Sequence, residues 1–107
     1  MTGAVLVIGS DPAFEAVDRI LRDLSPDTRI PRWHVRTAAG VERAIECGSL
    51  AGAVVDATLP LGLAEAAQER LHSARVPTWL LALPDDPGAL AGLRGWLLTR
   101  LVVEVMP

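Results

Sequence analysis

Short runs of consecutive apolar residues, each closed by glycine, proline or an acidic residue, recur along the chain. They occupy residues 4–8, 53–55 and 79–83, and they predict strands over residues 4–8, 53–56 and 78–83. An unbroken apolar run of this length is typical of a strand that is buried on both faces, as in a parallel sheet. Residues 32–36 instead alternate Trp33 and Val35 with polar residues. That alternation predicts a half-buried strand, which we place at a sheet edge.

Between these runs, apolar residues recur every three or four positions, the spacing of one face of an α-helix. The four sets are Phe14, Val17, Ile20, Leu21 and Leu24; Val41, Ala44 and Ile45; Leu63, Ala66, Ala67 and Leu71; and Leu90, Leu93, Leu97 and Leu101. Asp11 and Pro12 predict the start of the first helix, with the aspartate as N-cap and the proline in the first helical position. The second helix is predicted to stop near Gly48.

The sequence of residues 101–105, LVVEV, is compatible with two structures. It either continues the last helix or forms a fifth strand. Valine is a poor helix former and a good strand former, so its propensity favours the strand slightly.

Strands that alternate with helices predict βαβ units and an α/β fold with a parallel sheet. Because crossovers are right-handed, a single domain over residues 1–107 suits a flavodoxin-like, doubly wound sheet of strand order 2-1-3-4, with residues 101–105 as a candidate fifth strand. In that order the first and third strands are neighbours. Their carboxyl ends should therefore bring Gly9, Ser10, Asp11 and Asp56 together in one crevice.

Composition narrows the classes of function. The formal net charge is −3 and the pI is about 5.2, which argues against a nucleic-acid partner because nucleic acids need a clustered basic surface. No apolar run is long enough to predict a membrane span. Cys47, the single cysteine, cannot form an internal disulfide, as is usual in a reducing compartment. We therefore expect a cytoplasmic protein that binds neither nucleic acid nor membrane.

The segment Asp56-Ala57-Thr58-Leu59-Pro60 resembles the Asp-x-x-Met/Leu-Pro motif of response-regulator receiver domains. The opening strand followed by Asp11-Pro12, and Val76-Pro77 followed by an apolar strand, are similar to other parts of that family. The resemblance covers roughly residues 4–83. It implies a receiver-like fold in which Asp56 stands at the position of the phosphoacceptor.

The sequence departs from the receiver pattern at most of the phosphorylation site. Receivers carry two metal-binding carboxylates where this chain has Gly9 and Ser10, so Asp11 alone remains, one position later. They carry a serine or threonine where this chain has Ala82. They also require a lysine, and all ten basic residues here are arginines.

The position of the missing lysine depends on how the end of the chain is aligned. If residues 101–105 form the fifth strand, Met106-Pro107 stands in place of the family's Lys-Pro pair. Alternatively, Leu83-Pro84 stands there, and one strand–helix unit has been deleted. Both alignments remain open at this stage.

Two functional hypotheses follow from the resemblance and its departures. The first is a non-catalytic pseudo-receiver that works through protein contacts or as a homodimer, either alone or as the N-terminal part of a longer regulator. It needs no cofactor, and Asp56 is then a relic that serves as a turn or capping residue. The second is a working receiver that a histidine kinase phosphorylates on Asp56, with Asp11 and Asp56 holding Mg²⁺. A third, weaker reading is a small ligand bound in the crevice above Gly9.

The last third of the chain is a candidate interface. Trp79, Trp96, Leu97 and Leu101 are large apolar residues in the region through which receivers signal. Tryptophan is enriched at protein interfaces, although these side chains equally suit a core. Residues 90–105 have no obvious covering helix, so we expect self-association through this segment. His34 and His72 have no ligand partner at a suitable spacing and are expected at the surface.

Overall fold

The structure, a computed structural model, describes residues 3–24, 30–48, 50–82 and 85–105, and the side chains of all these except residues 61 and 100–105. Four strands alternate with four helices. In chain order they are β1 (Ala4–Ile8), α1 (Asp11–Leu24), β2 (Arg32–Val35), α2 (Ala38–Cys47), β3 (Leu50–Asp56), α3 (Leu61–Ser73), β4 (Thr78–Leu81) and α4 (Pro87–Val105). The alternation predicted from the apolar pattern is confirmed.

The strands form one parallel sheet of order β2-β1-β3-β4. The predicted flavodoxin-like, doubly wound arrangement is therefore confirmed. β1 and β3 are adjacent at the centre, with Ile8 in register with Val55. β2 lies at an edge, and all four of its residues are half-buried, as its alternating pattern predicts.

Helices cover both faces of the sheet, because alternate residues of each strand point to opposite sides. Val5, Val7 and Val54 face α1 and α4, whereas Leu6 and Ile8 face α2 and α3. α4 thus lies on the same side as α1. Within the described residues, none of the helices combines the length and apolar character needed to cross a bilayer.

The preference for a fifth strand at residues 101–105 is wrong. These residues continue α4, which runs without interruption from Pro87 to Val105. Extending an existing helix adds one hydrogen bond for each residue fixed, whereas an isolated strand needs a neighbour to pair with. The lower helix propensity of valine amounts to only a few tenths of a kcal/mol per residue and is readily overridden.

Two finer predictions are also corrected. The buried face of α3 includes Ala64, Ala67 and Leu71, while Ala66 is exposed. The first helix begins one residue earlier than predicted: the carbonyl of Ser10 accepts the bond from the Phe14 N–H, so Ser10 rather than Asp11 is the N-cap.

Candidate functional site

Asp56 lies at the carboxyl end of β3, where the strand order reverses between β1 and β3. In open α/β sheets this switch point is the usual position of a ligand crevice. The register of β1 with β3 brings Gly9 and Ser10 beside Asp56, as the sequence predicted. Asp11, which was predicted to join them, is instead exposed and pairs with Arg36. Asp56 has no accessible surface and is the one charged residue in the described core.

Both oxygens of the Asp56 carboxylate are bound by donors from the chain itself. Oδ2 accepts from the N–H of Ser10 at 3.2 Å and from its hydroxyl at 2.7 Å. Oδ1 accepts from the N–H of Thr58 at 2.9 Å and from its hydroxyl at 2.7 Å. The four bonds satisfy a buried charge that would otherwise be strongly destabilising.

The two donor residues reach Asp56 for different local reasons. Thr58 follows two positions after Asp56, and an aspartate side chain that binds the N–H two residues onward forms an Asx turn. Ser10 ends the loop after β1 and begins α1 through its carbonyl. Its hydroxyl is directed at Asp56 instead of capping that helix. Asp56 therefore ties the loop after β1 to the loop after β3.

Gly9 permits this close approach. Its φ of 155° lies in a region that other residues rarely adopt, and a Cβ added there would lie 2.3 Å from the Cβ of Asp56. No side chain fits at that distance. The crevice at this point is filled by the backbone of Gly9 and by the side chain of Asp56.

The pKa of Asp56 lies below the usual aspartate value, because two effects oppose each other. Burial of the carboxyl disfavours its charged form and by itself raises the pKa. The hydrogen bonds from the side chains and N–H groups of Thr58 and Ser10 favour the carboxylate and prevail. The group is thus held as a carboxylate by the same bonds that cover it.

Asp11 has other partners. Its Oδ1 forms an ion pair with Arg36, and the Nδ1 of His34 lies 4.0 Å from the same oxygen. Within the described parts of the chain, no three His, Cys, Asp or Glu side chains are grouped so that they could hold a metal ion. Mg²⁺ requires several oxygen ligands in an octahedral shell, and Asp11 and Asp56 are each engaged elsewhere. These residues do not fit a Mg²⁺ site.

His34 is more closely packed than the sequence predicted, whereas His72 is exposed. The His34 ring stacks on Phe14, with centroids 4.8 Å apart and planes 9° from parallel. Its Nε2 lies 2.7 Å from the carbonyl of Gly9 and donates to it, since a carbonyl can only accept. His34 and Thr58 are the residues of this region that sequence reasoning missed. The Asp-x-Thr spacing was a signal for Thr58, but the position of His34 depends on the pairing of β2 with β1.

Of the remaining candidate positions at the receiver-like site, the structure describes Ala82 alone. Ala82 is exposed just after β4 and offers no hydroxyl group. The two alignments place either Leu83-Pro84 or Met106-Pro107 at the Lys-Pro pair, and both pairs lie outside the described residues.

The candidate interface is largely turned inward. Leu97 is 1% exposed in the core of the monomer, so its assignment to an interface is corrected. Trp79 and Trp96 are half-buried against that core, with ring centroids 5.8 Å apart. The side chain of Leu101 lies outside the described ones. α4 therefore uses one face to cover the sheet.

Comparisons with known proteins add no relative: no protein-family model, curated protein or solved structure matches this chain.

Proposed function

We propose that this chain is a non-catalytic, receiver-like regulatory module that acts through protein contacts. The observation that carries the proposal is the state of Asp56: a carboxylate without accessible surface, with both oxygens bound by Ser10 and Thr58. A carboxylate held in this way connects two loops and is not accessible to a phosphoryl donor.

Phosphorylation of Asp56 would require at least one carboxylate oxygen to break its hydrogen bonds with Ser10 or Thr58. A carboxylate oxygen must attack phosphorus in line, while cations neutralise the charge on the phosphoryl oxygens. Each hydrogen bond to a charged acceptor contributes about 1.5–3 kcal/mol, so freeing one oxygen is costly. The chain has no lysine to neutralise charge, and the nearest remaining acidic residue of the family pattern, Asp11, is paired with Arg36.

The position of α4 supports the alignment in which one strand–helix unit of a receiver has been deleted. α4 packs beside α1, against Val5 and Val54, although it follows the fourth strand directly. In the alignment that places Leu83-Pro84 at the Lys-Pro pair, this segment leads into the family's last helix. The proposed module is accordingly a shortened receiver scaffold.

The rival proposal, a working receiver phosphorylated on Asp56 by a histidine kinase, has one observation in its favour. Asp56 lies at the switch point of the sheet, where ligands bind in open α/β folds. It would require Asp56 to rotate out of its four bonds and to recruit Mg²⁺ without a second nearby carboxylate.

Incubation with acetyl phosphate and Mg²⁺ separates the two proposals. Transfer to Asp56 would form an acyl phosphate, release acetate and raise the intact mass by one phosphoryl group. We expect no gain, because several electrostatic contacts are missing and the loss of one alone commonly slows such reactions by about a hundredfold or more. A mass gain that peptide mapping places on Asp56, and that is absent from Asp56→Ala, would overturn the non-catalytic module.

A further inference from the structure

The outer edge of β4 is open among the residues that the structure describes, since β4 is the last strand of the sheet. The carbonyls of Pro77 and Leu81 accept from the N–H groups of Ala53 and Ala57 in and after β3. In a parallel pair the backbone groups of alternate residues point to the same neighbour. Residues 77, 79 and 81 therefore face β3, and residues 78, 80 and 82 direct their N–H and carbonyl groups outward.

No charged side chain protects this edge from pairing with another strand. Pro77 precedes β4 but faces β3, so its missing N–H does not block the outer edge. The sequence of β4 is Thr-Trp-Leu-Leu, which is uncharged and rich in strand formers. Leu80 is 49% exposed, the most exposed large apolar side chain in the described part of the chain. Native proteins normally protect an open edge with charges or proline.

The opposite edge shows that contrast within the same sheet. β2 carries Arg32 and His34 and is followed by Arg36. Charges at an edge strand disfavour pairing with another chain. One edge of this sheet is thus protected and the other is not, which indicates that the β4 edge is used for pairing.

A groove runs along β4 on the side of the sheet covered by α3. It is lined by Leu80 and Thr78 of the strand and by Gln68, Glu69 and His72 of the helix. α3 contacts both β3 and β4, so the part of the sheet left uncovered between α3 and the outer edge is about one strand wide. Two helices placed symmetrically over a β4–β4 pair would be separated by about two strand spacings, roughly 10 Å, which is an ordinary distance between packed helices.

We infer that a second copy of this chain pairs with it through β4, antiparallel and about a twofold axis at Leu80, to form one eight-stranded sheet. The inference rests on the proposed function as a contact module and names its partner and surface. In this arrangement the two Leu80 residues exchange both backbone hydrogen bonds, and Thr78 lies opposite Ala82 of the second copy. Every outward-facing backbone group of β4 then has a partner.

The side chains beside the edge are also complementary to themselves. The twofold brings the two exposed Leu80 side chains together between the two α3 helices. It reverses the order of residues along α3, so Glu69 of one copy approaches His72 of the other, a carboxylate facing an imidazole. An isologous contact requires this kind of self-complementarity.

Charge reversal of the apolar edge is the first test. Leu80→Lys places two like charges at the twofold axis and should raise the dissociation constant of the dimer by about tenfold or more. Leu98→Lys is the matched control. Leu98 is 45% exposed on α4 and follows Arg94 by one turn, and Arg94 pairs with Asp23 of α1, so Leu98 lies on the side of α4 away from β4. Sedimentation velocity over a concentration series should show a dimer for the wild type and for Leu98→Lys, and a monomer for Leu80→Lys.

Cross-linking is the second test and reads the register directly. Facing residues that exchange both hydrogen bonds have Cα atoms about 5.5 Å apart, within the range of a disulfide. In a Cys47→Ser background, Leu80→Cys should therefore form an oxidised dimer on a non-reducing gel, and Leu98→Cys should not.

The inference is overturned if the wild-type protein stays monomeric throughout the concentration series, even if its β4 edge pairs with a strand of a different protein. It is equally overturned by a dimer that Leu80→Lys leaves intact or that Leu98→Lys also dissociates, or by a Leu80→Cys chain that does not cross-link. A dimer that uses another surface would still leave the contact module standing. Phosphoryl labelling of Asp56 would overturn that module whatever the oligomeric state.

Discussion

Asp56 shows how one buried charge is accommodated in an apolar sheet. Removing a carboxylate from water is costly unless it is fully hydrogen-bonded. Here two residues, one on each neighbouring loop, supply an N–H and a hydroxyl apiece. Because Ser10 precedes α1 and Thr58 precedes α3, the carboxylate fixes the starts of both helices relative to the sheet.

Replacing Asp56 with asparagine should destabilise the protein by about 2 kcal/mol at neutral pH. The amide NH₂ group would face one of the two backbone N–H groups that now donate to the carboxylate. The wild-type advantage should be full above the pKa of an unfolded aspartate, about 3.9. Because the folded pKa is lowered, the advantage should disappear as the pH falls through that lower value. Urea unfolding at a series of pH values measures this.

Asp11→Asn is the matched control for this experiment. Asp11 is exposed, and its pairing with Arg36 is a surface interaction that typically contributes less than about 1 kcal/mol. An Asp11→Asn chain as unstable as Asp56→Asn would contradict the assigned role of Asp56.

Among the secondary-structure elements, α4 is an apolar helix whose orientation is set by its packing against the sheet. Leu93 and Leu97 are buried against the sheet. The two tryptophans fit where glycine leaves room: a Cβ at Gly52 of β3 would lie 3.0 Å from Cη2 of Trp96, and a Cβ at Gly92 would lie 3.2 Å from Cζ2 of Trp79. The rings therefore act as spacers between helix and sheet.

Adjacent leucines of α4 should respond very differently to truncation. Leu97→Ala leaves a cavity in the core and should cost about 2–5 kcal/mol, as buried leucines typically do. Leu98→Ala, on the exposed side, should cost less than about 1 kcal/mol. Guanidinium unfolding of the two variants gives the comparison. Equal losses would mean that α4 presents a different face to the sheet.

In the whole molecule, the sheet separates the core into two apolar clusters, one on each face, and the four helices cover them. α4 completes the cover on the α1 side. On the other side α2 and α3 leave the outer part of β4 open, with Leu80 exposed in the groove.

Added Mg²⁺ should leave the thermal stability of the molecule unchanged. A ligand that binds only the folded state stabilises it by RT ln(1 + L/Kd), where L is the free ligand concentration. A site with a dissociation constant of about 1 mM would contribute about 1.4 kcal/mol at roughly 10 mM Mg²⁺. We expect no such shift in melting temperature, because neither Asp11 nor Asp56 is free to bind a cation. A stabilisation that Asp56→Asn abolishes would reveal a magnesium site.

The order of four strands and four helices, the parallel sheet and the proximity of Gly9 and Ser10 to Asp56 could all be predicted from the sequence, although a fifth strand was wrongly preferred at the end. Apolar runs and helical spacings are local signals, and right-handed crossovers leave few ways to join them. The sequence-based prediction was wrong where the local conformational preference of the residues competes with their structural context. The valines of residues 101–105 favour a strand weakly, but the helix that precedes them continues through them.

The hydrogen bonding of Asp56 depends on tertiary structure, because Ser10, which supplies two of its four donors, lies 46 residues away in the sequence. The same holds for His34, which meets Gly9 and Phe14 through strand pairing and not through sequence spacing. The tertiary structure also decided that Leu97 points inward and Leu80 outward. Periodicity identifies an apolar residue, but which of several apolar surfaces is left open depends on how many elements remain to cover the sheet.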